Sequence, residues 1–256
     1  MPIYMMINAE MDGPDALRNS MRELCALLFT EEGAIVGEFT VALEPLEERE
    51  SDAGTMQEFW AQHQESWTLI CSDAVGAEAG MARFTEFYVK AVQSWGEISF
   101  VADPASWDFT WLLTYLTLTR TPVPFASQYC HCLATMRHMY QHIMKLTDSE
   151  ALTERRRMQR HMPITHRARD SAQAQVYEFA ALRTAIACVV SAAECSVAER
   201  SLAEQVCSLA EQVSRLSHLS KEYEHRLTKH DQALAKHDQA LAQVEWVRWF
   251  NKTIQS

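Results

Sequence analysis

The residues able to do chemistry lie in three places. Asn8-Ala9-Glu10 closes a short apolar run, Ile3-Tyr4-Met5-Met6-Ile7, and is followed by Met11-Asp12-Gly13-Pro14. An acidic side chain at a strand end, beside a Gly-Pro turn, is presented outward, where it can meet a metal or a substrate. Asp108 falls in the first turn of a helix opened by Pro104-Ala105-Ser106. His166 and Asp170 stand just before and at the start of a helix expected over Ser171–Ala187. Carboxylate oxygens are hard ligands suited to Mg²⁺ or Mn²⁺, and a histidine is a common general base. Taken singly, each has a plainer role: an acidic residue in a first helical turn complements the helix dipole.

The elements that must position these groups follow from pattern. The 256 residues, 48% apolar and 22% charged, suffice for one or two packed domains. Ile3–Ile7 reads as a buried strand. Met21–Phe29 and Ala34–Val41 read as a hairpin across Glu31-Glu32-Gly33. Glu44–Asp52 is an acidic, solvated loop. Thr55–Gln62 and Ala79–Ser94 are expected helices, the second with Phe84, Phe87, Tyr88 and Val92 on one side. Ile98–Ala102 is a further strand, and the helix after it carries Phe109, Leu112, Leu113 and Leu116. Thr121-Pro122-Val123-Pro124 breaks the chain before a helix over Leu133–Leu146.

The last third differs. Every glycine lies between Gly13 and Gly96 and the last proline is Pro163, so residues 164–256 have little means of turning tightly. From Ser201 there are seven-residue echoes. Ser201–Cys207 recurs as Ser208–Ser214, and Lys229–Ala235 as Lys236–Ala242. One seam runs through Leu202, Val206, Leu209, Val213, Leu216, Ser220, Tyr223, Leu227, His230, Leu234, His237, Leu241 and Val244, the spacing of a coiled coil. This gives a domain over residues 1–195 and a helical oligomerisation tail over 196–256. His230 and His237 offer a pH-sensitive or metal-binding layer, or a weak end of the coil.

Charge is uneven. Residues 1–150 hold 8 Lys and Arg against 22 Asp and Glu, a net of −14, whereas residues 151–256 net +3. A whole-molecule field this acidic repels polyanions, so a nucleic-acid contact must be a local patch. The candidate patch is Arg155, Arg156, Arg157, Arg160, Arg167 and Arg169, which lies beside the chemical residues. It serves equally to pair the domain's surplus carboxylates. Trp60, Trp67, Trp107 and Trp111 could stack bases or build core, Trp107 standing beside Asp108. Cys130-His131-Cys132 with His138 and His142 could suggest zinc, but neighbouring ligands in an extended run diverge, and free thiols are the better reading. Seven cysteines without framework spacing, no secretory leader, and no stretch of 18 uncharged apolar residues point to an intracellular, cytoplasmic or nuclear, protein with no membrane span.

In this order the motifs are similar to those of the DEDDh-type 3′→5′ exonucleases, the superfamily of ribonuclease T and the proofreading subunit of DNA polymerase III. Ile3–Pro14 resembles the strand ending Asp-x-Glu, Phe100–Asp108 the middle Asp motif, and Thr165–Gln175 the His and final Asp motif. Phe39–Trp67, with Leu43-Glu-Pro-Leu46 and Thr55–Trp60, is similar in style. The resemblance covers about residues 3–187. It implies an α/β fold of the ribonuclease H-like type, a mixed central sheet flanked by helices. It also implies a cleft for single-stranded DNA or RNA and two divalent ions clamping the attacking and leaving oxygens. Glu10 and Asp108 would be metal ligands and His166 the base.

The sequence departs from that pattern at two of four carboxylates. Asn8 stands for the first Asp and Ser171, five residues after His166, for the last. Two carboxylates hold Mg²⁺ or Mn²⁺ weakly, since a metal pair then carries far more uncompensated repulsion. Asp170, recruited by a small helix rotation, and Asp12, in place of Asn8, are the candidate replacements. Three functions stay open. The favoured one is a degenerate exonuclease, binding nucleic acid or a protein partner in its cleft and homo-oligomeric through its tail. The others are an active metal-dependent 3′→5′ exonuclease and a scaffold that binds no nucleic acid.

Overall fold

A computed structural model of the chain describes residues 2–125 and 130–194, with residues 204–209, 211–212, 215, 221–222 and 229 of the tail. Contacts divide the chain into two units, Met1–Val189 and Val190–Ser256.

The first unit is built on strands β1 (Ile3–Met11), β2 (Met21–Thr30), β3 (Ile35–Ala42), β4 (Ile98–Ala102) and β5 (Cys130–Cys132). They form one sheet in the order β3-β2-β1-β4-β5. β2 is antiparallel to β1 and β3, while β1, β4 and β5 run parallel. The hairpin closes where expected. Gly33 takes φ +82°, the left-handed region that glycine enters freely, and its N–H donates to the Thr30 carbonyl.

β1 is central, so its apolar run is buried on both sides. Ile3, Met5, Ile7 and Ala9 face a core completed by α2 (Ala77–Trp95) and α3 (Thr110–Leu118) through Met81, Phe84, Tyr88, Leu112 and Leu116. Tyr4 and Met6 face the other way, with Cys25, Leu27 and Phe29 of β2. That face is covered by Leu133 of α4 (Leu133–Met144), Met158 of α5 (Asp148–Met158) and, above all, α6 (Ala168–Glu194), through Ala172, Val176, Phe179 and Leu182. The Phe179 ring centroid sits 5.0 Å from Tyr4 and 5.6 Å from Phe29. By length and composition α6 is apolar enough to cross a membrane, a looser test than an uncharged stretch. Its buried residues instead seal the second face of the sheet.

Elsewhere the structure refines the expectations. Thr55–Gln62 is a π-turn followed by a 3-10 turn, and α1 (Gln64–Ser72) and α5 are additional helices. Asp108 and Phe109 belong to a π-turn over Ala105–Phe109 that precedes α3. Trp60 and Trp111 are buried, and Trp60 donates from its indole nitrogen to the Met11 carbonyl at 2.9 Å. Cys130-His131-Cys132 is a strand, so its side chains alternate. Cys130 packs on the first core, while the His131 ring turns to Tyr4 and Phe179 on the second. Burial pushes the Cys130 thiol up to about 12.

In the second unit residues 204–209 are helical, and Val206 and Leu209 are exposed. The rest of the predicted coiled-coil seam, His230 and His237 included, lies outside the described residues.

Candidate functional site

The site forms along the last residues of β1, just beyond the point where β4 ends opposite Ile7. Side chains alternate across a strand, so Asn8 and Glu10 follow Tyr4 and Met6 onto the face covered by α6. Asp108 is brought over the same strand ends by the π-turn after β4. Its carboxylate accepts the Ala9 N–H at 3.1 Å and is buried. Burial holds the Asp108 proton well above the usual carboxylate range against the pull of that hydrogen bond, and the nearby Glu10 and Asp103 charges add to it.

Two groups that sequence reasoning missed reshape the site. Glu23 of β2 is the direct cross-strand partner of Glu10 and is 1% exposed. Arg167 answers it: Nε donates to the two Glu23 oxygens at 3.0 and 3.3 Å, and Nη2 to Oε1 at 2.6 Å. The Ala168 N–H, at the start of α6, donates to Oε2 at 2.7 Å. Glu23 thus caps the helix while chelating the arginine. Glu10 is left beside this pair. Burial, reinforced by the Glu23 charge and partly offset by Arg167, pushes its carboxyl up to about 8.

The two departures from the family pattern are both visible. Asn8 is buried, and its Nδ2 contacts Gln175 Oε1 of α6 at 3.4 Å, leaving Oδ1 without a partner. Ser171 lines a cleft with Asp170 and Gln175. The two expected replacements are otherwise engaged. Asp12 is fully buried, where it accepts the Ser20 N–H at 2.6 Å and the Ser51 hydroxyl at 3.0 Å, with Arg22 at 3.9 Å. It is a structural anchor for the turn after β1. Asp170 accepts the Thr165 hydroxyl at 2.7 Å and lies 3.6 Å from Arg169.

His166 sits just ahead of α6 at φ +53°. Its ring packs 4.8 Å from Phe59 and 3.9 Å from His63. Burial, with His63 alongside, holds it below the usual imidazole range, so it is neutral at physiological pH and able to accept a proton. The Ser66 hydroxyl of α1 donates to the Thr165 carbonyl, which fixes the loop carrying His166.

Two clefts flank that loop. One, of about 470 Å³, is lined by Arg155, Arg156, His161, Asp170, Ser171 and Gln175. The other, of about 450 Å³, is lined by His63, Glu65, Thr165, Arg167 and Asp170. Most of the arginine cluster is internally committed. Arg155 pairs with Asp103 and Glu178, Arg157 with Glu154, Arg167 with Glu23 and Arg169 with Glu38. Arg137, which sequence reasoning overlooked, completes a buried network on Asp103 and Glu178. Arg160 lies over the Tyr177 ring at 3.9 Å. Neither Arg156 nor Arg160 makes an ion pair among the described residues. Trp107, beside Asp108, is 37% exposed.

These residues do not fit a two-metal centre. Among the described residues no three His, Cys, Asp or Glu side chains stand together to hold a metal ion. Glu10 and Asp108 both keep their protons unusually well, Asn8 on the same strand face offers only a neutral amide, and the neighbouring Glu23 is committed to Arg167.

No protein-family model matches the chain, and no curated protein matches it. Solved structures do. Cell-death related nuclease 4 aligns at a TM-score of 0.55 and 12% identity over 72% of this chain and 64% of that one. E. coli exonuclease I in complex with a dT13 oligonucleotide aligns at 0.54 and 12% over 72% and 41%. The chain therefore spans less than two thirds of either. The nuclease domain of 3′hExo, a DEDDh family member bound to rAMP, aligns at 0.48 and 13% over 71% and 90%. The first two carry the conclusion that this chain shares the fold of those two nucleases.

Proposed function

We propose that this protein is an exonuclease-fold module that holds single-stranded nucleic acid without hydrolysing it, and that its C-terminal heptads assemble it into homo-oligomers. The reading is carried by the strand ends. At two of the four positions where the family resemblance calls for charged metal ligands this chain has Asn8, in contact with Gln175, and Ser171, and beside Glu10 lies the Arg167–Glu23 pair. Catalysis in this fold depends on two divalent ions. Here Glu10 and Asp108 would be the ligands for Mg²⁺ or Mn²⁺, and each must first release a tightly held proton. His166 would remain as an imidazole with nothing to activate.

Strand binding would fall to arginines without an ion pair among the described residues and to exposed aromatic groups. Arg156 lines the larger cleft and Arg160 stands close by in sequence, each able to meet one phosphate. Trp107 offers an indole face for a base. E. coli exonuclease I, with the same fold, is described with a bound oligonucleotide, which supports this use of the cleft.

The test combines two measurements on the full chain. End-labelled single-stranded DNA and RNA incubated with Mn²⁺ should keep their length. Shortening that vanishes in Glu10→Ala would overturn the silent-site reading. In fluorescence anisotropy, log affinity against log salt should have a slope of about −1.4, the value for two phosphate contacts on a single strand. A flat slope would remove nucleic acid as the ligand and leave the cleft to a protein partner.

A further inference from the structure

We infer that Arg167 is a fixed counter-cation that closes the acidic strand ends to divalent metal, so that restoring the lost carboxylates is not enough to recreate a metal site. The inference rests on the reading of these strand ends as an altered metal centre.

The geometry is a row. Glu23 and Glu10 are direct partners across β2 and β1, and side chains so placed have Cβ atoms about 4.5–5.5 Å apart. Asp108 continues the row on the other side, held by the N–H of Ala9, the residue before Glu10. Were all three ionised, they would repel one another strongly in a buried setting. The Glu23 carboxylate, enclosed at 1% exposure, needs a positive charge beside it even without metal.

Arg167 supplies it. A guanidinium cannot lose its proton in a protein, so the charge is permanent and independent of pH and of chelators. The contact is two-pronged and reinforced by the Ala168 N–H on the same carboxylate, and Glu23 is fully enclosed. The arginine is therefore locked by the first turn of α6, which also carries Ser171. A metal ion entering beside Glu10 would face this cation at close range. Arg167 also borders the smaller cleft, with 28% of its side chain exposed. Any anion bound there is met by a charge built into the fold.

The test needs no substrate. Mn²⁺ binding is followed by the loss of the free-ion paramagnetic resonance signal in wild type, Asn8→Asp/Ser171→Asp, and that double variant with Arg167→Gln or with Arg167→Lys added. Wild type, the double variant and the Arg167→Lys triple should all bind Mn²⁺ weakly. The Arg167→Gln triple should bind at least about tenfold more tightly than the double variant. If its unpaired Glu23 prevents folding, adding Glu23→Gln neutralises that carboxylate while still removing the cation, and a smaller gain over the double variant is expected, since one negative charge leaves with the cation. Equal affinity in the double variant and a folded Arg167→Gln protein would overturn the inference. So would tight binding by the Arg167→Lys protein. A wild-type protein that ignores single strands would sink the proposed function and leave this result standing. Uncut strand binding with no effect of Arg167 would do the reverse.

Discussion

Replacing Glu10 by glutamine should stabilise the protein, and the gain should grow with pH. The substitution keeps size and hydrogen-bonding capacity and removes only the ability to ionise. Burial and the Glu23 charge raise the Glu10 carboxyl from 4.5 to about 8 in the folded state. Between those values the folded chain holds a proton that the unfolded chain has released. Stability therefore falls as pH rises from the unfolded pKa, and the loss is complete once pH passes the folded one. With those two values the linkage relation gives a penalty of about 1 kcal/mol at pH 5, about 3 kcal/mol at pH 7 and about 5 kcal/mol at pH 9. Glu10→Gln removes it. Urea unfolding of wild type and variant at the three pH values reads the difference directly, with the slope of free energy against denaturant checked for constancy. A stability difference that is the same at pH 5 and pH 9 would refute the claim that this carboxyl is held protonated. It would also remove one reason for expecting weak metal binding.

Further outcomes follow from the same geometry. Arg137→Ala deprives buried Asp103 and Glu178 of a partner and should cost about 3–5 kcal/mol, seen as a lowered melting temperature. Arg155→Ala, half-exposed on the same network, should cost less. Trp107→Ala should weaken strand binding by about 1–3 kcal/mol per stacked base without moving the melting temperature, as anisotropy and thermal melts would show. Removing residues 196–256 should lower the mass measured by light scattering, and an unchanged mass would end the oligomer proposal.

Much of the sheet could be read from the sequence because β1, β2 and β4 each contain an apolar run and the turn at Gly33 is marked by its residue type. β5 could not, since three residues with alternating burial leave no periodic signal. α5 lacks an apolar stripe, yet Thr147-Asp-Ser-Glu150 forms a capping box, a signature that announces a helix start on its own. Of the candidate site, Asn8, Glu10, Asp108 and His166 were found by motif order. Glu23 was not, because nothing local distinguishes it from an exposed glutamate on a hairpin. Its meaning comes from Arg167, 144 positions away in the chain. The arginine cluster illustrates the same limit. Its composition suggested an anion-binding patch, while the partners that neutralise Arg155, Arg167 and Arg169 are scattered over distant elements.

The covering of one sheet face by α6 also governs when this protein can finish folding. Tyr4, Met6, Leu27 and Phe29 are made early, and the residues that seal them, Val176, Phe179 and Leu182, are among the last of the first unit. At about 5–20 residues per second of synthesis, Glu23 waits roughly 7–30 s for Arg167 to appear. During that interval the nascent sheet carries an open apolar face and an unpaired carboxylate. A ribosome stalled before residue 168 would leave all five strands made and that face covered only by Leu133 and Met158, a form prone to aggregate.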